Sequence, residues 1–215
     1  MTVADLLERL GGIPAERVQL DPIPGTAKEK DVLAIERREG KLCELVDGVL
    51  VEKAMGMEES LLASWIIYLL YRFLSQQDLG NVAGADGTLR LMPGLIRIPD
   101  VSYISWDHFP NRQLPSEPIP DLYPDLAIEV LSPSNTEREM ERKIRDYFLS
   151  GTRLVWLIDP RKRRVRVHTA PDECHLLTEN LSLDGGEVLP GLQLSLRELF
   201  ERTPRISTRK KKPKK

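Results

Sequence analysis

Two carboxylates in this chain sit where carboxylates are costly. Asp100 falls in "IPDVSYIS" and Glu129 in "YPDLAIEVLSPSN", stretches that otherwise read as β-strands with apolar neighbours. Aspartate has poor strand propensity, and either acid is expensive to bury without a partner. If the two strands are adjacent, the carboxylates converge at one end of a sheet and repel unless a proton or cation intervenes. Mg²⁺ suits such a pair, because it takes one or two carboxylates and keeps several waters. Lys143, in "EMERKIRDYFLSG", lies two turns into the helix predicted directly after Glu129. It precedes Ile144, which with Met140, Tyr147 and Phe148 forms that helix's apolar stripe, so Lys143 is predicted close to the buried face. An ammonium there could orient a water or stabilise charge developing on a phosphate. Two acids and a lysine around a metal are the parts that phosphodiester hydrolysis needs.

The surrounding elements must bring these residues together. "KLCELVDGVLVEK" reads as a hairpin turning at Asp47-Gly48, with Glu44 on its first arm. "MGMEESLLASWIIYLLYRFLSQQDLG" reads as a long, largely buried helix ending near Gly80, followed by two or three strands up to Ser105. Five prolines between Pro110 and Pro124 predict an extended surface loop or lid near the site. Asp125 is read as a residue that initiates the strand "DLAIEVL", which a helix follows. That helix is capped by Ser134 with Glu137 or by Thr136 with Glu139, and Gly151 closes it. "TRLVWLIDPRKRRVRVH" gives two strands around a turn opened by Asp159, and a strand and a closing helix complete the chain. One mixed α/β domain results, with a helical lead and proline-rich connector over residues 1–39.

Composition narrows the function classes. With 41% hydrophobic and 30% charged residues, the 215-residue chain reads as an ordinary globular protein with one sizeable core. Its longest apolar run, "LLASWIIYLLYRFL", is too short to span a bilayer, and "MTVADLLERLGG" is an amphipathic helix rather than a signal peptide. Cys43 and Cys174 are far apart and outside any zinc-ligand spacing, as expected of unpaired thiols in a reducing cytoplasm. The net charge of −2 hides an asymmetry: "RTPRISTRKKKPKK", residues 202–215, carries eight basic residues and no acid. Removing those eight from 31 leaves 23 basic against 33 acidic residues over 1–201, a formal −10. Such a tail is predicted to be disordered and can add sequence-independent affinity for nucleic acid. An acidic body suits a compact metal site better than a protein that coats DNA.

"IPDVSYIS", "PDLAIEVLSPSN", Lys143 in its helix and "LVWLIDP", in that order, resemble the Uma-type restriction endonuclease family of the PD-(D/E)XK nuclease superfamily. "ELVDGVLVEKAMG" fits as well, so the resemblance spans roughly residues 40–200. It implies a restriction-endonuclease-like core, a mixed β-sheet flanked by helices, with Mg²⁺-dependent (or Mn²⁺-dependent) cleavage of DNA. It makes residues 40–201 the nuclease-like domain, Asp100 the first acid and metal ligand, and Glu129 the second. The superfamily pattern places a lysine two residues after the second acid, where this chain has Leu131, so Lys143 stands in from the next helix. Glu44 matches an early hairpin glutamate and is a candidate third acid. Relatives carry a histidine where this chain has "MEES", which leaves Glu58 or Glu59 as a substitute, or no such contact.

Competing chemistry finds little support. The chain has no GxSxG elbow, no P-loop and no GxGxxG after a strand, and His108, His168 and His175 read as surface histidines. Two classes stand: a cytoplasmic metal-dependent deoxyribonuclease, and a catalytically weak nuclease-fold protein that binds DNA or acts as a scaffold. Retention of Asp100, Glu129 and Lys143 together favours the enzyme, because buried charges are destabilising when unpaired. Cleavage of both strands is simplest for a homodimer with one site per strand.

Overall fold

The computed structural model of the protein describes residues 2–202; the rest of the predicted basic tail lies outside them. Helices α1 (Val3–Arg9) and α2 (Glu29–Glu39) precede the hairpin β1 (Cys43–Val46) and β2 (Val49–Glu52), and the long α3 (Met57–Leu74) follows. Next come β3 (Gly80–Ala83), β4 (Leu89–Met92), β5 (Leu95–Arg97), β6 (Val101–Ser105), β7 (Leu126–Val130), α4 (Glu137–Ser150), β8 (Leu154–Asp159) and β9 (Arg164–Ala170). The chain closes with β10 (Glu173–Thr178), β11 (Ser182–Asp184), β12 (Gln193–Ser195) and α5 (Leu196–Glu201).

A six-stranded sheet in the order β10-β9-β8-β7-β6-β3 carries the core, and a four-stranded sheet β2-β1-β5-β4 packs beside it. Among the described residues only β7 and β8 run parallel, joined by the α4 crossover; the other pairs are antiparallel. Side chains alternate along each strand. Leu126, Ile128 and Val130 of β7 and Val101 and Tyr103 of β6 face one core with α3 and α5. Ala127 and Ile104 face a second core, which α4, α1 and Val46, Val49 and Val51 of the small sheet complete. A third cluster packs α2 against the far face of the small sheet. The fold class is thus mixed α/β, a mixed sheet flanked by helices.

Sequence expectations hold for the main elements and fail at particular places. Asp47 and Gly48, with φ of 52° and 72°, make the predicted two-residue turn. The long helix stops at Leu74, not Gly80, because the polar run Ser75 to Asp78 ends its apolar stripe. Gly80 instead opens β3 against Ser105, where a Cβ would lie 2.3 Å from the Ile104 carbonyl oxygen. Four strands, not two or three, fill residues 80–105, because Gly84–Gly87 and Pro93-Gly94 each permit a chain reversal. Beyond β9 there are three strands before the closing helix, where one was expected. The proline-rich segment is pinned down rather than free: Phe109, Ile119 and Leu122 are buried, and the Pro120 carbonyl accepts a hydrogen bond from Arg90 N at 3.0 Å. His168 corrects the expectation of three surface histidines. It sits in register with Val155 and Cys174, buried, with no hydrogen-bond partner for its ring nitrogens among the described residues. Burial, and then Arg166 nearby, push its pKa below the usual histidine range. Cys43 is buried, Cys174 is exposed, and both are free thiols.

The helical lead is locked onto the start of α4. Thr136 Oγ1 donates to the Gly11 carbonyl at 2.5 Å, and Arg17 pairs with Glu139 at 2.9 Å in a buried contact. Thr136 caps α4 by accepting from Glu139 N at 3.0 Å, while the Glu139 carboxylate turns to Arg17 and Asn135. Gly11 has φ of +93°, and a Cβ there would lie 2.6 Å from the Glu139 nitrogen. Gly11→Ala is therefore expected to destabilise the fold by about 1–3 kcal/mol, read by urea denaturation. A cost below about 0.5 kcal/mol would show that the contact yields easily.

Candidate active site

Alternation along the strands puts the two acids on one face. Asp100 precedes β6 by one residue and Glu129 is the fourth residue of β7; Val101 pairs with Ile128. Asp100 N donates to the Ile128 carbonyl at 3.1 Å, and Asp100 Oδ2 accepts from Val130 N at 2.6 Å. The two carboxylates thus stand side by side on the face that α4 covers. The small sheet approaches from the opposite side, and Glu44 on β1 points into the same space. All three acids are at least nine-tenths buried.

Lys143 joins the two sheets. Its Nζ lies 3.0 Å from Glu129 Oε1 and 3.0 Å from Glu44 Oε1, with its side chain 5% exposed. The displaced lysine therefore reaches the second acid from α4. Tyr147, one turn further on, donates to Glu129 Oε1 at 2.5 Å. Arg97 at the end of β5 holds Glu44 Oε2 at 2.7 Å and also pairs with Asp146 of α4. Ile98 N donates to Glu44 Oε1 at 3.2 Å. Lys53, just past β2, meets Asp100 Oδ1 at 2.8 Å and donates a second bond to the Ile98 carbonyl.

These neighbours drive the carboxyls apart. Burial would raise Glu44, but Lys143, Arg97 and Lys53 hold it well below the usual carboxylate range. Glu129 is raised by burial and by the Asp100 charge, against the pull of Lys143 and Lys53. Lys143 is raised: burial acts against its charge, and Glu129 and Glu44 more than offset it. The lysine thus stays protonated.

Four acids (Glu44, Asp100, Glu129, Asp146) face three bases (Lys53, Arg97, Lys143), a formal count of one more acid than base. Among the described residues, no group of three or more His, Cys, Asp or Glu forms a ready metal cage. The adjacent Asp100 and Glu129 offer a hard two-carboxylate site that waters would complete, which is the pattern Mg²⁺ accepts. The donor chemistry fits.

The other candidates lie elsewhere. Glu59 is buried against Gly56 and Glu58 is near Arg161, and neither bonds to the acidic cluster among the described residues. Asp125 accepts from Ser105 N at 2.8 Å and pairs with Arg153, tying the entry of β7 to β6 and β8. Asp159 accepts from Lys162 N at 3.0 Å within its turn. Lys53, Arg97, Asp146 and Tyr147 belong to the cluster and escaped the sequence reading. Alternation gave a signal for Lys53, two residues past the inward-facing Val51, and for Arg97, two past Leu95. Helical spacing gave one for Asp146 and Tyr147, at three and four residues from Lys143.

A mixed sheet flanked by helices, with acids from two adjacent strands meeting a helix lysine, has the architecture of the restriction-endonuclease-like class. The family model described as "Putative restriction endonuclease", Uma2, matches residues 30–197, and the chain belongs to that family. A crystal structure described as "a putative nuclease belonging to DUF820 from Anabaena variabilis ATCC 29413" has the same fold, with a TM-score of 0.69 at 22% identity. The match covers 77% of this chain and 93% of that one. No match is found among curated proteins. Family and fold together support a nuclease. No helix among the described residues is long and apolar enough to cross a membrane.

Proposed function

We propose that the protein is a metal-dependent DNA endonuclease that hydrolyses phosphodiester bonds at the Asp100–Glu129–Lys143 cluster. The observation that carries this reading is the Lys143 ammonium, 3.0 Å from Glu129, on the face where Asp100 stands on the neighbouring strand. Asp100 and Glu129 would hold Mg²⁺ or Mn²⁺, which supplies polarisation of a phosphoryl oxygen and an acidified water. Lys143, protonated and fixed between Glu129 and Glu44, would orient the attacking water and stabilise charge on the phosphate. Tyr147 fixes the Glu129 carboxylate, and Arg97 fixes Glu44 so that the lysine cannot swing away. The basic tail would add affinity without sequence preference, a homodimer would place one site on each strand, and two free thiols suit a reducing cytoplasm.

The test is incubation of supercoiled and single-stranded DNA with the full chain and Mg²⁺, Mn²⁺ or EDTA. Nicking with either cation and none in EDTA is expected. DNA binding without cleavage under any cation would leave a nuclease-fold binding protein in its place.

A further inference from the structure

Lys53 has no role in the reading above, yet it occupies the middle of the site. Its side chain is 6% exposed, its Nζ is 2.8 Å from Asp100 Oδ1, and its charge reaches both Glu44 and Glu129. It is a second buried ammonium in the cluster, paired with Asp100 as Lys143 is paired with Glu129 and Glu44. It occupies an Asp100 oxygen that a divalent cation would need, and Asp100 Oδ2 is already engaged by Val130 N. The Lys53 stem is flexible and ends just past β2, and its other bond is to the single carbonyl of Ile98. We propose that Lys53 is a resident counter-ion that competes with the metal for Asp100, so that the cation loads only as the Lys53 ammonium releases Oδ1. This rests on the metal site proposed above and adds a positioning residue to it. The ammonium holds Asp100 Oδ1 in place in the metal-free protein, and its departure frees that oxygen for a divalent ion.

Calorimetric titration of the full chain with MnCl₂, without DNA, tests this on wild type, Lys53→Met and Lys53→Gln. Both variants are expected to bind Mn²⁺ about tenfold more tightly or better, since a competing charge at ion-pair distance is gone. Mn²⁺ should also raise their melting temperatures more than that of wild type. A lysine that served only to fill space and hold the Ile98 carbonyl would leave Mn²⁺ affinity unchanged. If wild type binds Mn²⁺ and both variants bind it equally or more weakly, the Lys53 inference falls and the metal site stands. If neither wild type nor variants bind Mn²⁺, the inference falls together with the site beneath it. Should Lys53→Met not fold without metal, a cooperative melt restored by Mn²⁺ supports the exchange, and a failure to restore it contradicts the exchange.

Discussion

Lys143→Met is expected to lower the cleavage rate by about 10²–10³-fold while leaving DNA binding nearly unchanged. Among the described residues, the ammonium is the group in ion-pair contact with both Glu44 and Glu129. Methionine preserves most of the packing volume but supplies no charge to a developing phosphate anion. The variant will also melt at a lower temperature, so rates are compared where both proteins are fully folded. A rate within about threefold of wild type under those conditions would mean that Lys143 is a structural counter-ion.

The second large effect falls on stability. Arg97→Met removes one of the two cations on buried Glu44, leaving it Lys143 alone, and also removes the cation paired with buried Asp146. The expected loss is about 3–5 kcal/mol in urea denaturation, the usual cost of an uncompensated buried charge. The size comes from the stranded acids rather than from the pair itself. Arg97→Met combined with Glu44→Leu and Asp146→Leu should therefore regain much of what the single change loses. A single-variant loss below about 1 kcal/mol would show that the cluster rearranges to take up the lost charge.

Much of this site was legible in the sequence because strand and helix periods are rigid rulers. An acid inside "IPDVSYIS" and another inside "DLAIEVL" stand out against apolar neighbours, and Lys143 beside a helical apolar stripe is placed close to the buried face. Helices α1, α3, α4 and α5 and the Asp47-Gly48 hairpin followed from the same rulers. What stayed hidden depended on how elements pack. That β6 and β7 are neighbours, and that the small sheet faces α4, is tertiary information, and Arg97, Lys53 and Asp146 gain their meaning only from it. Short strands such as β4 and β5, three to four residues each, were too brief to show a period. Helix α2 lay within the stretch read as a connector: it is polar on most of its surface, and its inward residues, Val32 and Ile35, are few. His168 was misread for a related reason, since a lone polar residue on a central strand gives no sign of which face it occupies.

Asp100, at the entry to β6, is proposed to hold a metal with Glu129 for phosphodiester cleavage. The most direct measurement is nicking of supercoiled DNA with Mg²⁺ or Mn²⁺ by wild type beside Asp100→Ala, both shown to be folded. Metal-dependent nicking by wild type, lost about 10³-fold or more in the variant, is the predicted result. Equal nicking by the two proteins would contradict it, placing the activity outside this site.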